Sequence, residues 1–273
     1  MTDEGIAGKV KNSIVNVLKG TGGVVSEAAG VAKDATVSTL KGAGDVANAV
    51  TGTAASVLNG ALGATKDVGT GLIDTVKGVV VGLLEGVGEV GAVTVGVISD
   101  TVRAAFKGTK DIGVDATKTA SAVAEGVIEA TRDTGVSLAD GAVALGRSAL
   151  KGASEISGDV IGIASSTVSG AASGAAAMGG DVLDAIRATA KGIVQGAGEV
   201  GSDIADATSG VLTGAIEGAK KVGVSTEDAA SAAATGALAA AENIGESAVH
   251  AVRDVAASGV GGVKAILKGE QDT

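Results

Sequence analysis

The stretch EGVGEVG, Glu85 to Gly91, decides how this chain is read. Gly86, Gly88 and Gly91 have the G-x-G-x-x-G spacing of a dinucleotide-binding turn, and the apolar run KGVVVGLL before them would pass for a buried strand. A nucleotide fingerprint occurs once, between one strand and one helix. Here the spacing returns as Gly196, Gly198 and Gly201 in QGAGEVG, and with alanine last as Gly42, Gly44 and Ala47 in KGAGDVA. The copies lie multiples of 22 residues apart, so these glycines belong to an internal repeat and not to a phosphate site.

Working outward, similar segments end at Gly69 (GATKDVG), Gly91, Gly113 (KGTKDIG), Gly135 (EATRDTG), Gly201, Gly223 (EGAKKVG) and Gly245 (AAAENIG). The frame slips by one residue around Gly158 and recovers by Gly201. Extended backwards it takes in KGAGDVA and KGTGGVV. Residues 1–273 read as a single repetitive array, twelve units of 22 residues over 4–267, with a short polar tail at 268–273.

The columns of the array carry the fold prediction. One column reads Leu18, Leu40, Leu62, Leu84, Phe106, Ile128, then Val194, Ile216, Leu238 and Val260. Apolar columns recur at steps of three and four. Six turns over 22 residues is the 11-residue helical period, about 3.67 residues per turn. Strands would alternate by two, and this chain does not. The polar columns are as regular: Lys11, Lys33, Lys77, Arg187 and Arg253 share one, and Asp45, Asp67, Glu89, Asp111, Asp133 and Glu199 another. Charge at helical spacing marks a solvated face. The predicted class is all-α, built of amphipathic Gly/Ala-rich helices.

Two architectures satisfy this pattern. In one, each unit is a short helix that stops at its terminal glycine, and the units stack as antiparallel hairpins. Ser137-Leu-Ala-Asp140, Asp181-Val-Leu-Asp184 and Ser225-Thr-Glu-Asp228 have the spacing of N-terminal capping boxes, with Asp in place of Glu. In the other, one helix runs through every joint, to roughly 400 Å at about 1.5 Å per residue. Apolar phase unbroken across the joints and a chain without proline favour that second form.

Composition narrows the function. The chain has no Pro, Cys, Trp or Tyr, one Phe (Phe106) and one His (His250). Disulfides, thiolate chemistry and cysteine-based zinc sites are excluded, and a lone imidazole in a polar column reads as a surface histidine. Carboxylates repeat with the units, so no copy is singled out as a shifted acid. No enzyme activity, cofactor, metal site or small-molecule substrate is expected. A net charge of −10 argues against nucleic acid and against simple capture by anionic lipid. Mean hydropathy of +0.42 separates the chain from acidic disordered tails. Uncharged stretches at Val46–Thr65 and Val160–Gly180 have the length of a membrane span, but Gly, Ser and Thr dilute them. The first residues make a poor secretory signal, so a cytoplasmic protein peripheral to a membrane or granule is the expectation.

The stretches KGTKDIGVDATKTASAV (107–123) and VAKDATVSTLKGAGDV (31–46) resemble the repeats of perilipins, and are similar to the 11-residue repeats of synucleins. That resemblance implies a chain weakly folded in water that becomes a long amphipathic helix on a lipid surface. The Leu/Val column would then touch a lipid-droplet, membrane or hydrophobic-granule surface, a neutral one suiting the acidic chain. The alternative expectation is self-assembly with copies of itself, a filament, sheath or scaffold built by Gly/Ala-mediated helix packing.

Overall fold

A computed structural model describes residues 3–19, 23–41, 46–68, 71–91, 93–156 and 158–263. These residues form α1 (Asp3–Lys19), α2 (Val24–Lys41), α3 (Val46–Val68), α4 (Leu72–Val90), α5 (Val95–Ile112), α6 (Ala116–Thr134), α7 (Leu138–Ile156), α8 (Val160–Ala177), α9 (Val182–Val200), α10 (Ile204–Val222), α11 (Thr226–Ile244) and α12 (Glu246–Ser258). Among the described residues there is no strand, only an isolated bridge between Val260 and Val263. The chain is all-α, and of the two architectures it adopts the broken one.

The breaks have a local cause. Gly113, Gly135, Gly201 and Gly223 sit at left-handed φ of 70°, 76°, 69° and 78°, a conformation that costs a Cβ-bearing residue about 1 kcal/mol or more. The next residue closes a Schellman turn: the N–H of Val114 donates to the Thr109 carbonyl at 3.0 Å, and that of Val224 to Ala219 at 3.1 Å. A side chain then opens the following helix. Ser137 Oγ accepts from the Asp140 N–H at 3.0 Å, Asp181 from Asp184 at 3.0 Å and Ser225 from Asp228 at 3.1 Å. All three predicted caps are therefore made.

Unbroken apolar phase proved compatible with turning. From α6 to α11 successive helices begin 22 residues apart, at Ala116, Leu138, Val160, Val182, Ile204 and Thr226. A unit with a constant helix and a constant turn keeps phase whether or not the chain reverses. Gly158 does not displace α8 either, and Gly179 (φ 71°) ends that helix in frame. Gly91 departs from the pattern, with extended backbone at φ −159° and Thr94 as the next cap. Gly245 has φ 143° and leads directly into α12. Gly69 lies outside the described residues.

From α1 to α11 each helix packs chiefly on a helix two places along and less on its immediate neighbour, whereas α12 packs on both α11 and α10. Odd helices make one layer and even helices the other. Within a layer the helices are parallel, because inter-helix pairs keep nearly one offset: Arg103–Glu155, Arg147–Glu199, Ser165–Glu217 and Ser169–Lys221 are 52 residues apart, and other pairs such as Lys33–Glu89 and Lys151–Glu199 differ from this by one helical turn. Joints therefore alternate between the two edges of the double layer, and both edges are stitched.

Packing faces as the candidate functional site

The expected contact column faces the chain's own core. Leu40, Leu62, Leu84, Phe106, Ile128, Val194 and Ile216 are buried. Leu18 and Leu238 are half-buried against the same core, and Val260 is half-buried just beyond α12. Leu150 and Ala172, at the two places the sequence reading skipped, are also fully buried. In the folded array the column from Leu40 to Ile216 is closed to any external surface. Placing a Leu or Ile there removes it from water at a gain of about 1.5–3 kcal/mol each.

The sequence reading missed a second face. Residues at i, i+4 and i+8 on each helix from α3 to α11 are small, Asp100 of α5 excepted, and they meet the preceding helix of the same layer. In α4 these are Gly78, Gly82 and Gly86; in α10 they are Gly210, Gly214 and Gly218. A Cβ on Gly82 would overlap the carbonyl of Ala29, and one on Gly214 that of Ser165. Gly126 leaves only 2.8 Å between such a Cβ and the Lys77 carbonyl, and Gly196 only 2.7 Å to that of Arg147. Backbone thus lies on backbone, the geometry in which Cα–H groups approach carbonyl oxygens. The glycines that weaken each isolated helix by about 1 kcal/mol are what the layer requires. Gly86 is one of them and faces α2, so the opening motif begins inside α4 and ends at Gly91 just past it. The signal was present as the spacing of Gly78, Gly82 and Gly86.

Charge columns meet within the layers. Lys11 pairs with Asp67 at 2.8 Å, Lys33 with Glu89 at 3.4 Å, and Lys151 with Glu199 at 2.6 Å. The acids sit near helix C-termini, where the macrodipole is unfavourable to them, and the cations come from the adjacent parallel helix. Exposed pairs of this kind contribute about 0–1 kcal/mol each, so they set register more than stability.

Two clusters are perturbed. Burial pushes the Glu125 carboxyl above its ordinary value, although Lys77 lies 3.5 Å away. Lys77 reaches Glu129 more closely, at 2.6 Å. For Lys77 burial acts downward, but the hydrogen bonds and charges of Glu129 and Glu125 outweigh it and raise its pKa. Its charge is spent mainly on Glu129, which leaves Glu125 under-compensated. Burial also acts upward on Glu199, but hydrogen bonds and charge from Arg147 and Lys151 prevail and hold it below the ordinary carboxylate value.

α8 is, among the described residues, the one helix long and apolar enough to cross a membrane. In the array 61% of it is buried, flanked by α6 and α10. Its serines take the place of charges: Lys221 Nζ donates to Ser169 Oγ at 2.9 Å. His250 is exposed, 3.9 Å from Glu246. No group of His, Asp and Glu suited to a metal ion occurs among the described residues. No protein-family model and no curated protein matches the chain.

Proposed function

We propose that this chain is a non-enzymatic structural protein, a helical scaffold built by Gly/Ala-mediated packing. One observation carries the reading: glycines recurring in frame are seated on the backbone of the parallel helix two places back. Such contacts are useful only in a folded array, and they give a chain of small residues a precise layer spacing. The polar outer faces and the ion pairs between parallel helices suit a body that presents surface instead of enclosing a site.

Adsorption to a lipid or granule surface is the second reading. It is favoured by the continuous Leu/Val column and by a core shallow in volume, since Ala fills much of it. Stitching at both edges makes that transition demanding. The layers have no free edge to open along, so exposing the column means giving up the glycine contacts as well.

Circular dichroism of the lipid-free chain, with and without neutral oil emulsion or vesicles, separates the two. The scaffold reading expects full helicity and a cooperative melt in plain buffer, unchanged by lipid. A largely unfolded chain that gains helix on lipid would sink it and establish the coat.

A further inference from the structure

We infer that the outer face of the odd layer docks on the outer face of the even layer of a second copy of this chain. This rests on the scaffold reading and names the partner with which such a scaffold assembles.

Two columns carry the charge that matters. With Ala116 of α6 and its equivalents 22 residues away as first place, the tenth and fourteenth places lie mid-helix on the solvent side. Along the chain their sign alternates by unit. Glu85 is followed by Lys107, Glu129 and Lys151, and Arg103 by Glu125 and Arg147. On one straight helix both signs would share a face, but folding into alternate layers sorts them. From α5 to α9 the odd layer shows Arg103, Lys107, Arg147, Lys151 and Lys191 at these places, with Gln195 the sixth residue and no acid. From α4 to α10 the even layer shows Glu85, Glu125, Glu129 and Glu217, the rest being Val81, Ser169, Ser173 and Thr213. A net charge of −10 conceals a basic band on one face and an acidic band on the other.

Neither band is neutralised within its own chain. Arg103 holds Glu155, and Arg147 and Lys151 share Glu199. Lys107 is exposed and Lys191 half-buried, and neither has an ion pair with another described residue. On the even face Lys77 serves Glu129 and Glu125, while Lys33 reaches Glu85 only at 4.0 Å. Glu217 is exposed, with the Ser165 hydroxyl at 3.5 Å. At the rim, Lys41 of α2 is taken up by Glu89 at 3.8 Å.

Geometry supplies the fit. One unit builds both layers, so the two faces repeat at nearly the same intervals, about 6 Å between the charged places of a helix and about 8–10 Å between helices. Both bands cross the middle of their helices, so they meet whichever way the second copy's helices point. In the stack Lys107 and Lys191 gain carboxylate partners, and many weak surface pairs act together. A docked pair still presents one free band of each sign, so growth does not close.

The test is sedimentation velocity of the full chain over a concentration series at low and high salt, with circular dichroism of the same samples. For a chain this acidic, overall repulsion predicts that salt promotes association, whereas the bands predict the opposite. At about 20 mM salt the weight-average mass of the wild type should reach at least about twice the 25.6 kDa monomer, returning to monomer at about 500 mM. Lys107→Glu with Lys191→Glu should stay monomeric at low salt, and Glu217→Lys, on the opposite face, should weaken association too. Lys118→Glu with Lys220→Glu makes the same charge change on the even layer, outside its band, and should leave association intact. A helical wild type that is monomeric at low salt overturns the inference and leaves the scaffold reading standing. A chain unfolded in that buffer sinks both. Association that strengthens with salt, that survives Lys107→Glu with Lys191→Glu, or that both double variants lose alike also overturns it.

Discussion

In α4, of the even layer, Gly78, Gly82 and Gly86 lie against the backbone of Val25, Ala29 and Lys33 in α2. In α5, of the odd layer, the same three places hold Asp100, Ala104 and Gly108. Gly108 there meets the side chains of Leu62 and Asn59, not a carbonyl. Farther along, Gly152 of α7 is seated on the Phe106 ring, whereas Gly214 of α10 is seated on the Ser165 carbonyl. α4 and α10 carry glycine at all three places, and no odd-layer helix does. Within one repeat, α5 closes its gaps differently from α4 and α10, whereas Gly192 of α9 and Gly236 of α11, also in the odd layer, are seated on the Val143 and Arg187 carbonyls. Where glycine brings backbones together, no side chain is needed between helices. Where a larger residue holds them apart, side chains such as Phe106 must fill the space.

The largest test of that difference is Phe106→Ala. The ring is buried, touches Gly152 and fills the gap between α5 and α7. Its removal should cost about 3–5 kcal/mol, the range for large-to-small changes at aromatic core positions. Chemical denaturation of the pure protein reads this directly. A loss below about 1 kcal/mol would mean that α5 and α7 close the space themselves, and α5 would differ from α4 less than its side chains suggest.

A paired alanine scan sharpens the comparison by sign. Gly82→Ala puts a methyl into the Ala29 carbonyl and should destabilise by about 1–3 kcal/mol, as overpacking does. Gly108→Ala presses only on the ends of Leu62 and Asn59, which can move. Alanine's better helix propensity, about 1 kcal/mol, then leaves that variant neutral or more stable. Equal losses at both sites would show that the glycines serve the same purpose in α4 and α5.

Much of this architecture was legible in the columns. Period, helix class, the caps at Ser137, Asp181 and Ser225, and the joints at Gly113, Gly135, Gly201 and Gly223 all follow from local chemistry. Whether the chain turns was not legible, because a constant 22-residue unit preserves phase in either form. Burial of Leu62 and Ile128 was readable from their neighbours, but what buries them was not. A lipid surface and a second helix layer ask the same of an aliphatic side chain. The glycine face was visible as spacing and Gly/Ala packing was an expectation, but which helix each glycine meets was not legible, since backbone contact is a property of two helices.

The smallest expected effect divides the layers by pH. Glu199, in the odd layer, is held below its ordinary value, so its stabilising contribution is present above the unfolded value near 4.5 and is lost as pH falls through its folded pKa. Glu125, in the even layer, is raised, so its contribution has the opposite sense: it is present below about 4.5 and is lost as pH rises through the folded pKa. Ionised Glu125 is thus a small burden near neutrality. Glu199→Gln should lower the melting temperature at pH 7, with the deficit closing in acid. Glu125→Gln should raise it at pH 7, because Lys77 keeps Glu129 at 2.6 Å, and the gain should vanish below about pH 4.5. Melting curves of both variants across that range read the two signs. If Glu125→Gln lowers the melting temperature as Glu199→Gln does, Lys77 compensates Glu125 after all. The even layer would then owe its close approach to ion pairing as well as to glycine.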